Sequence, residues 1–250
     1  MKKRVLVVII PLLTCLNIVA QNDANIYRVA FLQPKPGSVD KFLEGVKEHN
    51  KKFHSKGFMK VRMYRVISGD RSGWFVRTYG PMTWEEVEKF EADQATKAHS
   101  DHGSKVLRPY IEKRIGPSYW TPHDNLSYNR SSTSTASNMM RVSYTHVNPL
   151  MDGEYREMRK NIKEAHEKTG SKDSFTLGQL IHGGKLHTYA QFYPMDGWSD
   201  MSSGGATNLA SRMNEVFGQG SWGRFMSKGQ KVIYKRNDEM RLYMKEYSTR

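Results

Sequence analysis

The chain repeats itself, and that constrains its fold more than any other feature. The segment Arg28-Val29-Ala30-Phe31-Leu32-Gln33 is matched by Arg141-Val142-Ser143-Tyr144-Thr145-His146. The segment from Trp74 to Met82 is matched by His187 to Met195, each ending in an aromatic residue and Pro-Met, with a Trp shortly after (Trp84 and Trp198). Both matches fall at one spacing, 113 residues, and in the same order. One match could be chance; two at a single offset indicate a supersecondary unit used twice.

Each copy reads in the same order. A strand (Tyr27 to Gln33; Met140 to His146) runs into a turn rich in Pro and Gly. A helix follows, with apolar residues three, four and seven apart: Val39, Phe42, Leu43, Val46 and Phe53 in the first copy, and Tyr155, Met158, Ile162 and Ala165 in the second. Gly57 and Gly170 stand where helices end. A hairpin comes next, Phe58–Ile67 with Trp74–Tyr79 in one copy and Phe175–Ile181 with Leu186–Tyr193 in the other. A second helix starts at Thr83-Trp84-Glu85-Glu86, where Thr83 caps and Glu86 completes a capping box. Its counterpart is Ala206–Phe217. A last strand closes each copy, over Ser118–Thr121 and Arg241–Tyr247. The order β-α-β-β-α-β is the ferredoxin-like unit. The run from Ser131 to Asn138, small and polar without apolar anchors, is a linker by composition. The expected organisation is therefore a segment over 1–20, a first repeat over 21–130, a linker over 131–138 and a second repeat over 139–250.

This pattern, with a strand ending near Pro81-Met82 followed by Thr83-Trp84-Glu85-Glu86 and Phe90, resembles the dimeric α+β barrel superfamily. That group includes antibiotic-biosynthesis-monooxygenase-like domains, haem-degrading monooxygenases and NIPSNAP-like domains. The resemblance implies an α+β fold in which two ferredoxin-like sheets pack face to face as a barrel. Here both sheets would come from one chain. A sheet covered by helices on one side needs a partner for its other face, and the second copy supplies it.

Residues 1–20 read as an export signal: Met1-Lys2-Lys3-Arg4, a short apolar run from Val5 to Leu13, and small Ala20 before polar Gln21. The expected location is outside the cytoplasm, periplasmic or secreted. Lipid attachment at Cys15 is the alternative processing. The apolar run is shorter than the roughly 20 residues of a membrane-spanning helix. Cys15 is the only cysteine, so a cleaved chain has neither disulfides nor thiol chemistry. The formal charge is +14, three of it in the first four residues, and the rest is spread without a block. A solvated basic surface is expected, and no nucleic-acid partner.

Two sets of side chains are candidates for chemistry. Strand alternation puts Phe31 and Gln33 on one sheet face with Tyr144 and His146 at the matched positions, and Trp74 matches His187. If that face lines the barrel, these six form an aromatic pocket for a small hydrophobic ligand between the repeats. Otherwise they fill the barrel. The second set is His99-Ser100-Asp101-His102, read as a solvated helix end because nothing fixes further ligands, so no metal is expected. The resemblance adds that haem-degrading members use a His in the second helix, which His99 or His102 could match, with a Trp (Trp74 or Trp84). They also use an Asn early in the first strand, and Tyr27 to Gln33 has none. The leading expectation is an exported binding protein for a small hydrophobic or aromatic ligand. The alternatives are a monooxygenase or haem-handling enzyme, and a basic interaction module.

Overall fold

Strands β1 (Ile26–Pro34) and β5 (Met139–Val147) open two halves with the same layout. The computed structural model describes residues 25–129, 136–203 and 206–250. The segment expected over 1–20, Cys15 and most of the expected linker lie outside the described residues. The first half continues with α1 (Val39–Phe53), β2 (Val61–Ser68), β3 (Phe75–Met82), α2 (Trp84–Ala95), α3 (Lys97–Val106) and β4 (Ile111–Pro122). The second continues with α4 (Asp152–Lys168), β6 (Thr176–His182), β7 (Thr188–Met195), α5 (Asp200–Ser203), α6 (Ala206–Phe217), α7 (Ser221–Val232) and β8 (Ile233–Tyr243).

The eight strands close into one antiparallel barrel in the order β1-β3-β2-β8-β5-β7-β6-β4. Each half contributes the ferredoxin-like order, β4-β1-β3-β2 and β8-β5-β7-β6. The two half-sheets join at two seams, β2 with β8 (Tyr64 opposite Tyr243) and β4 with β6 (Trp120 opposite Leu180). Closure leaves neither half-sheet with a free edge.

The barrel is packed on both faces over most of its length, the first halves of β4 and β8 being exposed, and each face has its own core. The lumen is filled by Val29, Phe31, Tyr64, Val66, Val76, Trp120, Val142, Tyr144, Leu180 and Ala190, drawn from both halves. The outer face of the first half packs Leu32, Met63 and Phe75 against Phe42 and Val46 of α1. The outer face of the second packs Val147, Leu177 and Tyr189 against Tyr155 and Met158 of α4 and Val232 of α7. The capping box expected at Thr83 is present: Glu86 N–H donates to Thr83 Oγ1 at 3.2 Å, and Thr83 N–H donates to Glu86 Oε2 at 2.9 Å.

Three details differ from the sequence reading. A second helix follows α2 and α6 in each half, and these are α3 and α7. The closing strands begin earlier than expected, at Ile111 and Ile233. The register of β1 with β3 shifts between Ile26 and Arg28, a bulge that the β5–β7 pair lacks. The bulge uses one extra residue, so Trp74 occupies the place of Thr188 in the second half and not that of His187.

Candidate functional site

The structure divides the six residues expected to line a pocket between the repeats, putting Phe31, Trp74 and Tyr144 at the lumen core and Gln33, His146 and His187 at the strand ends. Phe31 and Tyr144 face the lumen and are 5% and 7% exposed, and Trp74 packs against the same core half-buried. What surrounds them is a closed polar network. Glu239 Oε2 accepts from Arg71 at 2.8 Å, Glu239 Oε1 accepts from Arg241 at 2.6 Å, and Arg241 also donates to the Tyr144 hydroxyl. The Arg71 guanidinium lies 3.8 Å over the Phe31 ring. Burial outweighs these cations and holds the Tyr144 phenol above its ordinary pKa. The lumen is a packed interior, as small barrels commonly are. Gln33 is half-buried at the end of β1, with its Oε1 unpartnered among the described residues. His146, at the end of β5, holds Thr188 Oγ1 at 2.9 Å; burial, with Lys185 and Lys235 nearby, lowers its pKa. His187, in the turn before β7, has its Nδ1 3.2 Å from Asp152 Oδ1.

An open space lies outside the barrel, in the second half, between the sheet and its helices. It has a volume of about 690 Å³, well within the range of small-molecule sites. Its floor is the outer face of β5 and β7, with Arg141, Thr145, Gln191 and Tyr193. One wall is α4, with Met158, Arg159, Ile162 and His166, and the opposite wall is α7, with Trp222, Phe225 and Met226. The first half shows how this space closes when it is packed. At the 113-residue offset Arg159 takes the position of Val46, which is fully buried. Ile162 takes that of His49 and His166 that of Phe53.

The cavity is apolar in body and cationic at its polar points. Arg141, Arg159, Lys172, Lys235 and Arg236 line it, against two acids, Asp173 and Asp200. Arg141 is paired to Asp238 at 2.6 Å, and Arg236 donates to Ser143 Oγ at 3.1 Å. Arg159 differs. It is 6% exposed, its Nε and Nη2 have no hydrogen-bond partner among the described residues, and its guanidinium lies 5.2 Å from the Phe175 ring centre. A buried cation without partners is costly, and buried polar groups left unmade concentrate where a ligand is missing. His166 is held neutral. Burial lowers its pKa; Asp173 pulls the other way, and Arg212 and Arg159 reinforce the lowering. Its Nδ1 lies 3.5 Å from Asp173 Oδ2, close enough for an ion pair yet outside hydrogen-bond geometry, so the ring nitrogen stays unbonded. Burial likewise raises the Tyr193 phenol, against the pull of Arg159 and Arg141.

The same region of the first half is filled by histidines. The expectation of a solvated helix end at His99 and His102 does not hold. Both lie in α3, and Thr96, which caps that helix, starts it so that His99 turns against α1 and is 3% exposed. There it meets His49 and His54 of the α1 end, also buried, and His102 flanks His49. One ring nitrogen from each of His49, His54 and His99 can be chosen so that all lie within 4.8 Å of one another. The expectation of no metal site is therefore revised to a three-histidine set that could hold one.

No protein-family model matches the chain, and no curated protein matches it in sequence. Solved structures match its shape. A putative monooxygenase from Fusobacterium nucleatum superposes with a TM-score of 0.56 at 12% identity, over 88% of this chain and 92% of that one. An anthrone oxidase-like protein gives 0.55 at 8% identity, over 89% and 92%. A mutant chlorite dismutase from Candidatus Nitrospira defluvii gives 0.52 at 10% identity, over 89% and 92%. At these identities the likeness is one of fold. With the closed barrel and its two matched halves, it shows that the chain has the dimeric α+β barrel fold, both ferredoxin-like halves being supplied by a single polypeptide.

Proposed function

We propose that the protein binds a flat, hydrophobic molecule carrying acidic groups in the cavity between the sheet and helices of its second half. The observation that carries this reading is Arg159. A buried core position occupied by Val46 in one half holds in the other a guanidinium with two nitrogens unpartnered among the described residues, and that side chain lines the cavity. An acidic group on the ligand would supply the missing acceptor, and Trp222, Phe225 and Met158 suit an aromatic body. The reading includes export, from the N-terminal segment, so the ligand would be met outside the cytoplasm.

A second reading is favoured by His166, a neutral imidazole with an unbonded nitrogen beside this cavity. A haem fits the donor set: His166 would hold the iron, and Arg159, Arg141 and Arg236 the carboxylates. Bound there, haem would supply redox chemistry of the kind implied by the names of the monooxygenase and chlorite dismutase that share the fold. The chain's own part would be to exclude water through the α7 wall and to keep the imidazole unprotonated.

The test is a titration of the chain with protoporphyrin IX and with haem, followed by tryptophan quenching and visible absorbance. The control variant is Gly229→Leu. Gly229 faces the cavity from α7, and a Cβ there meets only the flexible end of Met158, at 3.3 Å. Leucine suits a helix better than glycine, so the variant should fold normally while filling the space. Binding by wild type that is lost in Gly229→Leu supports the reading; equal binding by both would overturn it. A haem spectrum that changes in His166→Ala would assign His166 as the side chain that holds the iron. A spectrum unchanged in that variant would refute the haem reading alone.

A further inference from the structure

We propose that His49, His54 and His99 form a binding site for a divalent transition-metal cation of the zinc class, buried under α3 in the first half. His54 is the observation that asks for a ligand. Its side chain is completely buried, and neither ring nitrogen makes a well-formed hydrogen bond among the described residues, although the Met59 backbone approaches the ring. A neutral imidazole has one donor and one acceptor, and the acceptor goes unmet. A purely structural ring at this place, between Tyr79 and Phe90 at 5.1 and 6.1 Å, would be better served by phenylalanine.

The other two rings are already oriented. His99 Nδ1 lies 2.7 Å from Asp93 Oδ2, which fixes the proton on Nδ1 and leaves the Nε2 lone pair as an acceptor. That carboxylate–histidine pairing is the usual outer-shell arrangement of metal-bound histidines. His49 Nδ1 is held at 3.1 Å by His102 Nδ1, and His102 Nε2 reaches Glu48 Oε1 at 3.0 Å. His49 Nε2 is thereby turned toward His99 Nε2, 3.0 Å away. Zinc–nitrogen bonds of 2.0–2.1 Å in tetrahedral geometry place ligand nitrogens roughly 3.3 Å apart. The two Nε2 atoms need to part by only a few tenths of an ångström, and rotation of the His54 ring brings the third. Gln94 Nε2, which lies 3.0 Å from His99 Nε2, is the group a metal would displace.

Charge in the site is mixed. The Arg77 guanidinium, buried nearby, repels a dication; Asp93 and Glu48, at the outer ends of the cluster, offset it. Three protein nitrogens leave one coordination position for water, the make-up of an open site.

The experiment strips the full chain with a chelator and titrates it with Zn²⁺ by calorimetry and with Co²⁺ by visible absorbance. One equivalent per chain is expected, with tetrahedral Co²⁺ bands and a raised melting temperature with Zn²⁺. His54→Phe should abolish the bands and leave the metal-free chain at least as stable as wild type. Asp93→Asn, which leaves all three ligands in place, should weaken affinity about 10–100-fold. The absence of bands in wild type would overturn the site, as would bands that persist in His54→Phe. If His54→Phe does not fold, His99→Gln takes its place with the same two outcomes.

Discussion

Replacing Arg159 by methionine should make the protein more stable and a weaker binder at once, a pairing that a structural arginine would not produce. The magnitude follows from what the guanidinium touches. Two of its nitrogens are buried without partners, and an unmade buried donor costs about 1–3 kcal/mol. The Phe175 face, 5.2 Å away, returns about 1–2 kcal/mol as a cation–π contact. Methionine keeps the apolar stem and makes a comparable sulfur–aromatic contact. The two aromatic contacts cancel, so the net gain is at least about 2 kcal/mol, which for a chain of this size raises Tm by at least roughly 4 °C. Binding of an acidic ligand loses one charge-assisted hydrogen bond, about 1.5–3 kcal/mol, or roughly 10–100-fold in Kd. Calorimetric melts of the two apo proteins and paired ligand titrations measure both quantities. A lower Tm with unchanged affinity would show that Arg159 serves the fold, and the reasoning from its missing partners would be wrong.

Leu150→Gly should stabilise the chain. Asn148, Pro149, Leu150 and Met151 form a turn in which Met151 N–H donates to Asn148 O at 3.0 Å, and Leu150 sits at φ 70° while 96% exposed. The first half has Gly37 at that place with φ 72°. Relief of the left-handed strain, less the entropy glycine loses, leaves a gain of about 0.5–1 kcal/mol in chemical denaturation. Glu239→Gln removes the one carboxylate between Arg71 and Arg241 and should cost about 3–5 kcal/mol by the same assay. The first turn of α4 should tie stability to pH. Burial would raise the Asp152 carboxyl, but hydrogen bonds from Tyr189, His187 and Arg156 bring it below its usual value of 3.8. A depressed carboxylate stabilises the fold above its unfolded pKa, and that stabilisation is lost as pH falls through the lower folded one. Wild type should therefore lose stability more steeply than Asp152→Asn below about pH 4, and parallel acid limbs would count against these contacts.

The repeat makes the architecture legible in the sequence. The strand and Pro-Met matches at one offset gave two copies of one unit, and the turn and capping residues placed most elements. What the sequence concealed has physical reasons. Helix α3, Lys-Ala-His-Ser-Asp-His-Gly-Ser-Lys-Val, buries a histidine where a helical stripe would show an aliphatic residue, so its periodicity is silent. Helix α7 contains Gly223 and Gly229, which lower its intrinsic propensity. The bulge in β3, which carries one residue more than β1 between Met82 and Tyr79, slid the Trp74 match by one residue, an effect no constant offset can reveal. His49 and His54 reach His99 only through the packing of α1 on α3, a contact far apart in the chain. Arg159 could have been found. Extending the repeat alignment through the helices sets it against Val46, and a charge at a core position is the signal of a site.

The cavity of the second half is the central claim, and native mass spectrometry of the protein purified from its own host tests it most directly. Wild type and Gly229→Leu would be expressed and purified in parallel under non-denaturing conditions. The account predicts that wild type carries a co-purified molecule that is aromatic and acidic, and that Gly229→Leu has the bare polypeptide mass. A bare mass for wild type, or the same bound molecule in both, would contradict it.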